Sequence, residues 1–301
     1  MQYLESFYNY LTYERRNSAH TITAYKKDID QFCSFLESEG VDLWVNVTSK
    51  TVRSWMVSLV DNGISARTVT RKISTLKVFF RFLMVQGVVD SNVAEHVITP
   101  KIPKRLPVFV KEGEMNLLLD VVDFGSDFKG LRDKLIIEMF YHTGMRLSEL
   151  VNLKDEDIDF GNDVFRILGK RNKERIVPII KELKVSLVRY IEERNKMFPD
   201  RVNSNLYITE KGLPVYHKLV YRVVNGYLSR VSTVSKKSPH VIRHSFATAL
   251  LNRGADLNAI KELLGHANLA ATEVYTHNTF EKLNSIYKQA HPRAEKMEDY
   301  I

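Results

Sequence analysis

Between Ser18 and Glu39 the apolar side chains of Ile22, Tyr25, Ile29, Phe32, Cys33 and Leu36 recur every three or four positions. That is the period of a helix with one buried stripe, and Gly40 supplies its stop. Val52, Trp55, Met56 and Leu59 repeat the pattern over Thr48 to Asn62, before Gly63. A third helix is predicted from Ser65, a good capping residue, towards Val89, with Val69, Ile73, Leu76, Phe80 and Leu83 on one side. Cys33 is the single cysteine, so no internal disulfide forms, and its place on the first stripe assigns it to a core.

The pattern breaks in ITPKIPKRLPVFVKEGE, where Pro100, Pro103 and Pro107 interrupt any helix and favour an extended strap. The boundary between two domains is placed there, giving a helical domain over 1–97, a basic proline-rich linker over 98–107 and a second domain over 108–301. Beyond it, helical periods cover about 112–122, 128–143 and 146–153. DIDFGNDVFRILGKRNKERIVPII then alternates β-branched and polar residues, with breaks at Gly161-Asn162 and at Lys170 to Lys173. Three antiparallel strands joined by two hairpin turns are expected. Helical periods return near 182–197 and 216–231, and from Pro239 the tail reads as four short helices separated by Gly254, Gly265 and the Thr276 to Asn278 turn.

Charge narrows the partners. The 301 residues carry 44 Lys and Arg against 36 Asp and Glu, a net charge of +8. Nucleic acid is the first candidate partner and an anionic membrane surface the second. No apolar run approaches the ~18 residues of a membrane span, and MQYLESFYNYLTYE lacks the layout of a signal peptide. A cytoplasmic protein is expected. In the third helix Arg67, Arg71 and Arg81 fall within about 80° of one another, opposite the apolar side, and no acidic residue lies between Ser65 and Val89. These three arginines, with Lys101, Lys104 and Arg105 of the linker, are assigned to the DNA backbone.

Candidate chemistry sits in the second half. Ser238-Pro239 opens a helix on which His240 and Arg243 share a side. His240 and His244 have a spacing that suits a metal, but Val241 stands where a zincin-type hydrolase needs its glutamate, and no metal site is assigned. Arg146 in TGMRLSEL, Arg243 in HVIRHSFAT and His266 in LLGHA instead suggest cations gathered around an anion.

TGMRLSEL, GKRNKER, HVIRHSFAT, LLGHANLAATEVYTH and HPRA, in that order, resemble the tyrosine recombinases, and HPRA with the chain length resembles their Xer branch. The resemblance spans nearly the whole chain. It implies a mainly α fold: an N-terminal SAM-like helical core-binding domain, and a C-terminal α+β catalytic domain with a small three-stranded antiparallel sheet. It assigns Arg146, Lys170, His240, Arg243 and His266 to the active site and Tyr275 to the nucleophile.

The chemistry agrees with that assignment. A tyrosine attacking a phosphodiester needs its anionic target neutralised and the phosphorane-like transition state stabilised. Two guanidinium forks suit the non-bridging oxygens, because they give paired bonds and never deprotonate. His240 is placed to accept the phenol proton, His266 to donate to the phosphate and Lys170 to protonate the departing 5′ oxygen. The 3′-phosphotyrosyl link conserves the bond energy, so neither ATP nor metal is required and no cofactor is expected. Arg171 stands where the family commonly has glycine, and Asn172 is expected to take the positive φ. Glu149 reads equally as an orienting carboxylate or a helix-surface one, and His244 and His277 as supporting residues.

The partners implied by the resemblance are a double-stranded recombination site, a homotetramer on two duplexes or a hetero-tetramer with a second recombinase, and a cell-division DNA translocase, with no membrane. A nucleoid-associated location follows. The terminal helix from Thr279 to Ala290 either caps its own domain or, as in the resembled family, docks on a neighbouring subunit. Chromosome dimer resolution is the expected role. Integration or inversion of a mobile element, and relaxation of DNA by a type IB topoisomerase-like reaction, are the alternatives.

Overall fold

The N-terminal third of the chain is helical because the apolar stripes of its helices bury one another. The computed structural model describes residues 2–103, 108–169, 174–265, 285–287 and 289–293. It divides into two units, Met1–Arg105 and Leu106–Ile301.

In the first unit α1 (Leu4–Asn9) runs into a turn of π-helix (Tyr10–Glu14), followed by α2 (Ala19–Ser38), α3 (Ser49–Asp61) and α4 (Ala66–Val85). Ser65 caps α4 as the sequence suggests, and Ser18 and Thr48 cap α2 and α3. Ser18 Oγ accepts from the Thr21 N–H at 3.3 Å and Ser65 Oγ from the Thr68 N–H at 3.4 Å. Thr48 and Thr51 exchange reciprocal bonds of 3.2 Å, satisfying N–H groups that the first turn leaves unpaired. α2 and α3 both pack on α4, around Phe7, Phe32, Trp44, Trp55, Phe79 and Phe80. Trp44 and Phe7 meet Phe79 edge-on, with ring centres 4.8 and 4.9 Å apart. Cys33 packs half-buried at the margin of this core.

The basic face of α4 is more engaged than its own sequence suggests. Asp28 of α2, 1% exposed, accepts from Arg71, from Lys72 Nζ at 2.9 Å and from Thr75 Oγ1 at 2.9 Å. Arg81 pairs with Glu95 at 3.2 Å. Arg67 stays exposed, as does Lys101 in a segment without regular secondary structure. Lys104 and Arg105 lie outside the described residues.

The second unit contains α5 (Glu112–Asp120), α6 (Phe128–Thr143), α7 (Leu147–Asn152), β1 (Ile158–Asp159), β2 (Val164–Leu168), β3 (Glu174–Pro178), α8 (Lys181–Met197), α9 (His217–Val231), α10 (Pro239–Asn252) and α11 (Leu257–Leu263). The sheet is antiparallel in the order β1-β2-β3, with Phe165 opposite Val177 and Ile167 opposite Arg175. Helix α6 packs against α8, α9 and α10 and is buried on nearly every side, which is why its sequence shows no polar stripe. Near the C-terminus, Tyr287 is fully buried and its hydroxyl donates to the His142 carbonyl at 2.6 Å. Arg293 reaches Glu182 on α8 at 2.9 Å and also pairs with Asp120 on α5. No helix among the described residues is long and apolar enough to cross a membrane.

Candidate active site

Helix α6 stops at Gly144, whose φ of +60° is the left-handed conformation that favours glycine. A Cβ there would lie 2.5 Å from the Phe246 ring, so the turn also needs the missing side chain for space. Two residues later Arg146 is extended and caps α7, leaving its backbone N–H without a helical acceptor. Glu149 on that first turn supplies one. Its Oε2 accepts the Arg146 N–H at 2.7 Å, and its Oε1 accepts Arg146 Nη1 at 2.7 Å.

The other side of the same carboxylate belongs to Arg175 of β3, which donates through Nη1 to Oε1 at 3.0 Å and through Nη2 to Oε2 at 2.7 Å. Glu149 is buried, and burial pushes its pKa up. The hydrogen bonds and charge of Arg175, followed by the bonds from Arg146, prevail and leave it at about 2. It is therefore no surface carboxylate, and both arginines depend on it.

The end of α11 gathers the cations. The last carbonyls of a helix have no partner within it. Here three consecutive ones are each taken by an arginine: Leu263 by Arg175 Nε at 2.9 Å, Leu264 by Arg243 Nη2 at 2.6 Å, and Gly265 by Arg146 Nη2 at 2.8 Å. Arg243 also donates to the Gly144 carbonyl. Desolvation, then the neighbouring charge of Arg146, lowers the Arg243 pKa to about 10. Arg146 and Arg243, far apart in the chain, thus sit on adjacent peptide groups. The Arg146 side chain is 22% exposed, so the pair has an open side.

His240 is exposed on the first turn of α10, three residues before Arg243. Its pKa is lowered by partial desolvation, then by Arg243, Lys236 and Arg146. The neutral imidazole, able to accept a proton, is favoured. His244 meets Phe109 edge-on at 6.5 Å, a packing role. Lys170, Arg171, Asn172, His266, Tyr275 and His277 lie outside the described residues.

Arg175 was not singled out in the sequence, yet a signal for it exists. In a strand, residues two apart face the same way. Arg175 therefore shares the inward face of Val177, and it is 4% exposed.

Residues 109–282 match the model of the phage integrase family, and residues 4–87 match its N-terminal SAM-like domain. The chain belongs to the phage integrase family. Among relatives of this family member, tyrosine recombinase XerC of Staphylococcus epidermidis is 41% identical, over 98% of this chain and 98% of its own length. Tyrosine recombinase XerC of Oceanobacillus iheyensis is 38% identical, over 97% and 96%. The solved structure of XerH site-specific recombinase bound to difH substrate, a pre-cleavage complex, shares the fold with a TM-score of 0.68 and 23% identity, over 91% of this chain and 81% of that one. The family member described here is an enzyme, a tyrosine recombinase of the Xer type.

Proposed function

We propose that Arg146 and Arg243 clamp the two non-bridging oxygens of one backbone phosphate while Tyr275 attacks it. The phenol oxygen forms a bond to phosphorus as the bond to the 5′ oxygen breaks. His240 accepts the phenol proton, His266 donates to the phosphate, and Lys170 gives a proton to the departing 5′ oxygen. The products are a 3′-phosphotyrosyl link and a 5′ hydroxyl. A hydroxyl from a second duplex then reverses the step and exchanges strands.

The single observation carrying this reading is the placement of Arg146 and Arg243 on adjacent carbonyls of Gly265 and Leu264. Two forks so held meet one phosphate at little reorganisation cost. The segment that follows directly in sequence carries His266 and Tyr275. The names of the curated relatives extend the proposal to a double-stranded recombination site as substrate. Exchange between two duplexes further requires a tetramer, built from this chain alone or with a second recombinase. Within that reading the cellular task is resolution of chromosome dimers in the cytoplasm at the nucleoid, with a cell-division DNA translocase as the regulating partner. Arg67, Lys101, Lys104 and Arg105 contribute contacts to the DNA backbone, joined by the ion-paired Arg71 and Arg81.

The test is a supercoiled plasmid carrying two directly repeated copies of a site recovered by trapping the protein covalently on host DNA. The expected result is two smaller circles from that plasmid and no change in one lacking the site. Relaxation of both plasmids alike, without exchange, contradicts the proposal and favours a topoisomerase-like activity.

A further inference from the structure

We propose that Arg175 is a positioning residue for strand cleavage, holding Arg146 open towards the phosphate by taking half of the Glu149 carboxylate and fixing the Leu263 carbonyl. The inference rests on Arg146 being a phosphate clamp.

Arg146 has two supports, Glu149 and the Gly265 carbonyl; Arg175 binds the first and packs beside the turn that carries the second. Its two Nη groups bind the two Glu149 oxygens, and its Nε binds Leu263, two residues before Gly265. It also packs against the turn itself: a Cβ on Gly265 would lie 3.2 Å from Arg175 Cδ and 3.2 Å from its Nη1. Arg146 in turn gives Glu149 one side-chain bond and its backbone N–H. With one side-chain donor on Glu149 and one on the Gly265 carbonyl, three of its five N–H donors are left for the phosphate.

Without Arg175 a buried carboxylate faces a single guanidinium. Its geometry then favours a closed two-point pair with Arg146, because a buried ion left half-partnered is costly. That pair uses the donors and cancels the charge which the phosphate needs. With Arg175 present the carboxylate is divided between two cations, and the site keeps a net positive charge. Arg175 makes this contribution from the interior, without exposure to the DNA.

The experiment measures single-turnover cleavage of a nicked duplex at saturating protein, together with duplex affinity and thermal melting. Arg175→Gln is expected to slow cleavage by about 10²-fold, the scale of a misaimed catalytic group. Affinity should stay within about 3-fold, since Arg175 is given no phosphate contact. Adding Glu149→Gln to that variant should recover part of the loss, roughly 10-fold, because the neutral amide no longer captures Arg146. A residue that only supports the fold predicts the opposite, a double variant worse than either single one. Arg175→Lys keeps the buried charge without the fork, and so serves even if Arg175→Gln does not fold. It is expected to fall between wild type and the near-inactive range.

Near wild-type cleavage by Arg175→Lys or Arg175→Gln, or a double variant slower than Arg175→Gln, overturns the inference. Arg146→Lys separates the two levels. If it cleaves normally, the clamp itself is wrong. If it is severely impaired while the Arg175 variants are not, only the positioning role fails.

Discussion

His142 and His291 meet in the interior of the second unit, their Nδ1 and Nε2 atoms 3.3 Å apart and both residues 0% exposed. His291 Nδ1 accepts the Arg293 N–H at 3.2 Å, which leaves its proton on Nε2, facing His142. Burial, followed for His142 by the charge of its partner, pushes both pKa values down, that of His291 to about 3. A histidine lowered on folding contributes stability that is fully present above its unfolded value and is lost as pH falls towards the folded one. For His291 that window runs from 6.5 down to about 3. Each such histidine steepens the loss by about 1.4 kcal/mol per pH unit below its unfolded value. Denaturant unfolding at about pH 7 and about pH 5 should therefore show His291→Gln losing ~2 kcal/mol less between the two than wild type does. An unchanged drop would show that His291 does not stay neutral in the fold. At this scale Arg146, His240 and Arg243 could be singled out because each lies in a motif; Tyr275 lies outside the described residues. Arg175 and Lys72 were not, because lysine and arginine in a basic run look alike until strand alternation or helix phase is followed to a buried face. Asp28 was also missed, since its partners lie on another helix.

Helix α11 and the turn after it carry the site's geometry. Gly265 has φ +64°, and an added Cβ would lie 3.2 Å from Arg175 and 3.5 Å from Arg146 Nη1. Gly254 has φ +81° but nothing within 4 Å of the same point. Alanine at either costs about 1 kcal/mol in backbone strain. Only Gly265→Ala should also displace the arginines, slowing cleavage of a nicked duplex by about 10-fold or more, while Gly254→Ala keeps the wild-type rate. Equal rates in the two variants would detach the turn from the site. Among elements, α2 to α11 and the three strands follow the periods and caps of the sequence closely. Helix α1 escaped: it begins at Tyr3 without a side-chain cap and buries only Phe7. The long α6 ends at Gly144, and burial on nearly every side accounts for its lack of a polar stripe.

At the scale of the whole molecule, the order of five motifs carried the assignment further than any one of them, since each motif alone has a common structural explanation. Among the described residues, parts of four of the motifs lie on α7, β3, α10 and the end of α11, which the second unit's core brings together. The basic balance of the chain and the exposed Arg67 and Lys101 suit a polyanionic partner. In the proposed function this cation cluster serves a tyrosine nucleophile on DNA. The most direct measurement incubates wild-type protein and Tyr275→Phe with a duplex nicked beside the cleavage position, followed by denaturing electrophoresis and peptide mapping. The expected result is a covalent protein–DNA band whose modified peptide contains Tyr275, and its complete loss in Tyr275→Phe at unchanged duplex affinity. A covalent adduct that persists in Tyr275→Phe, or that maps to another residue, would contradict it.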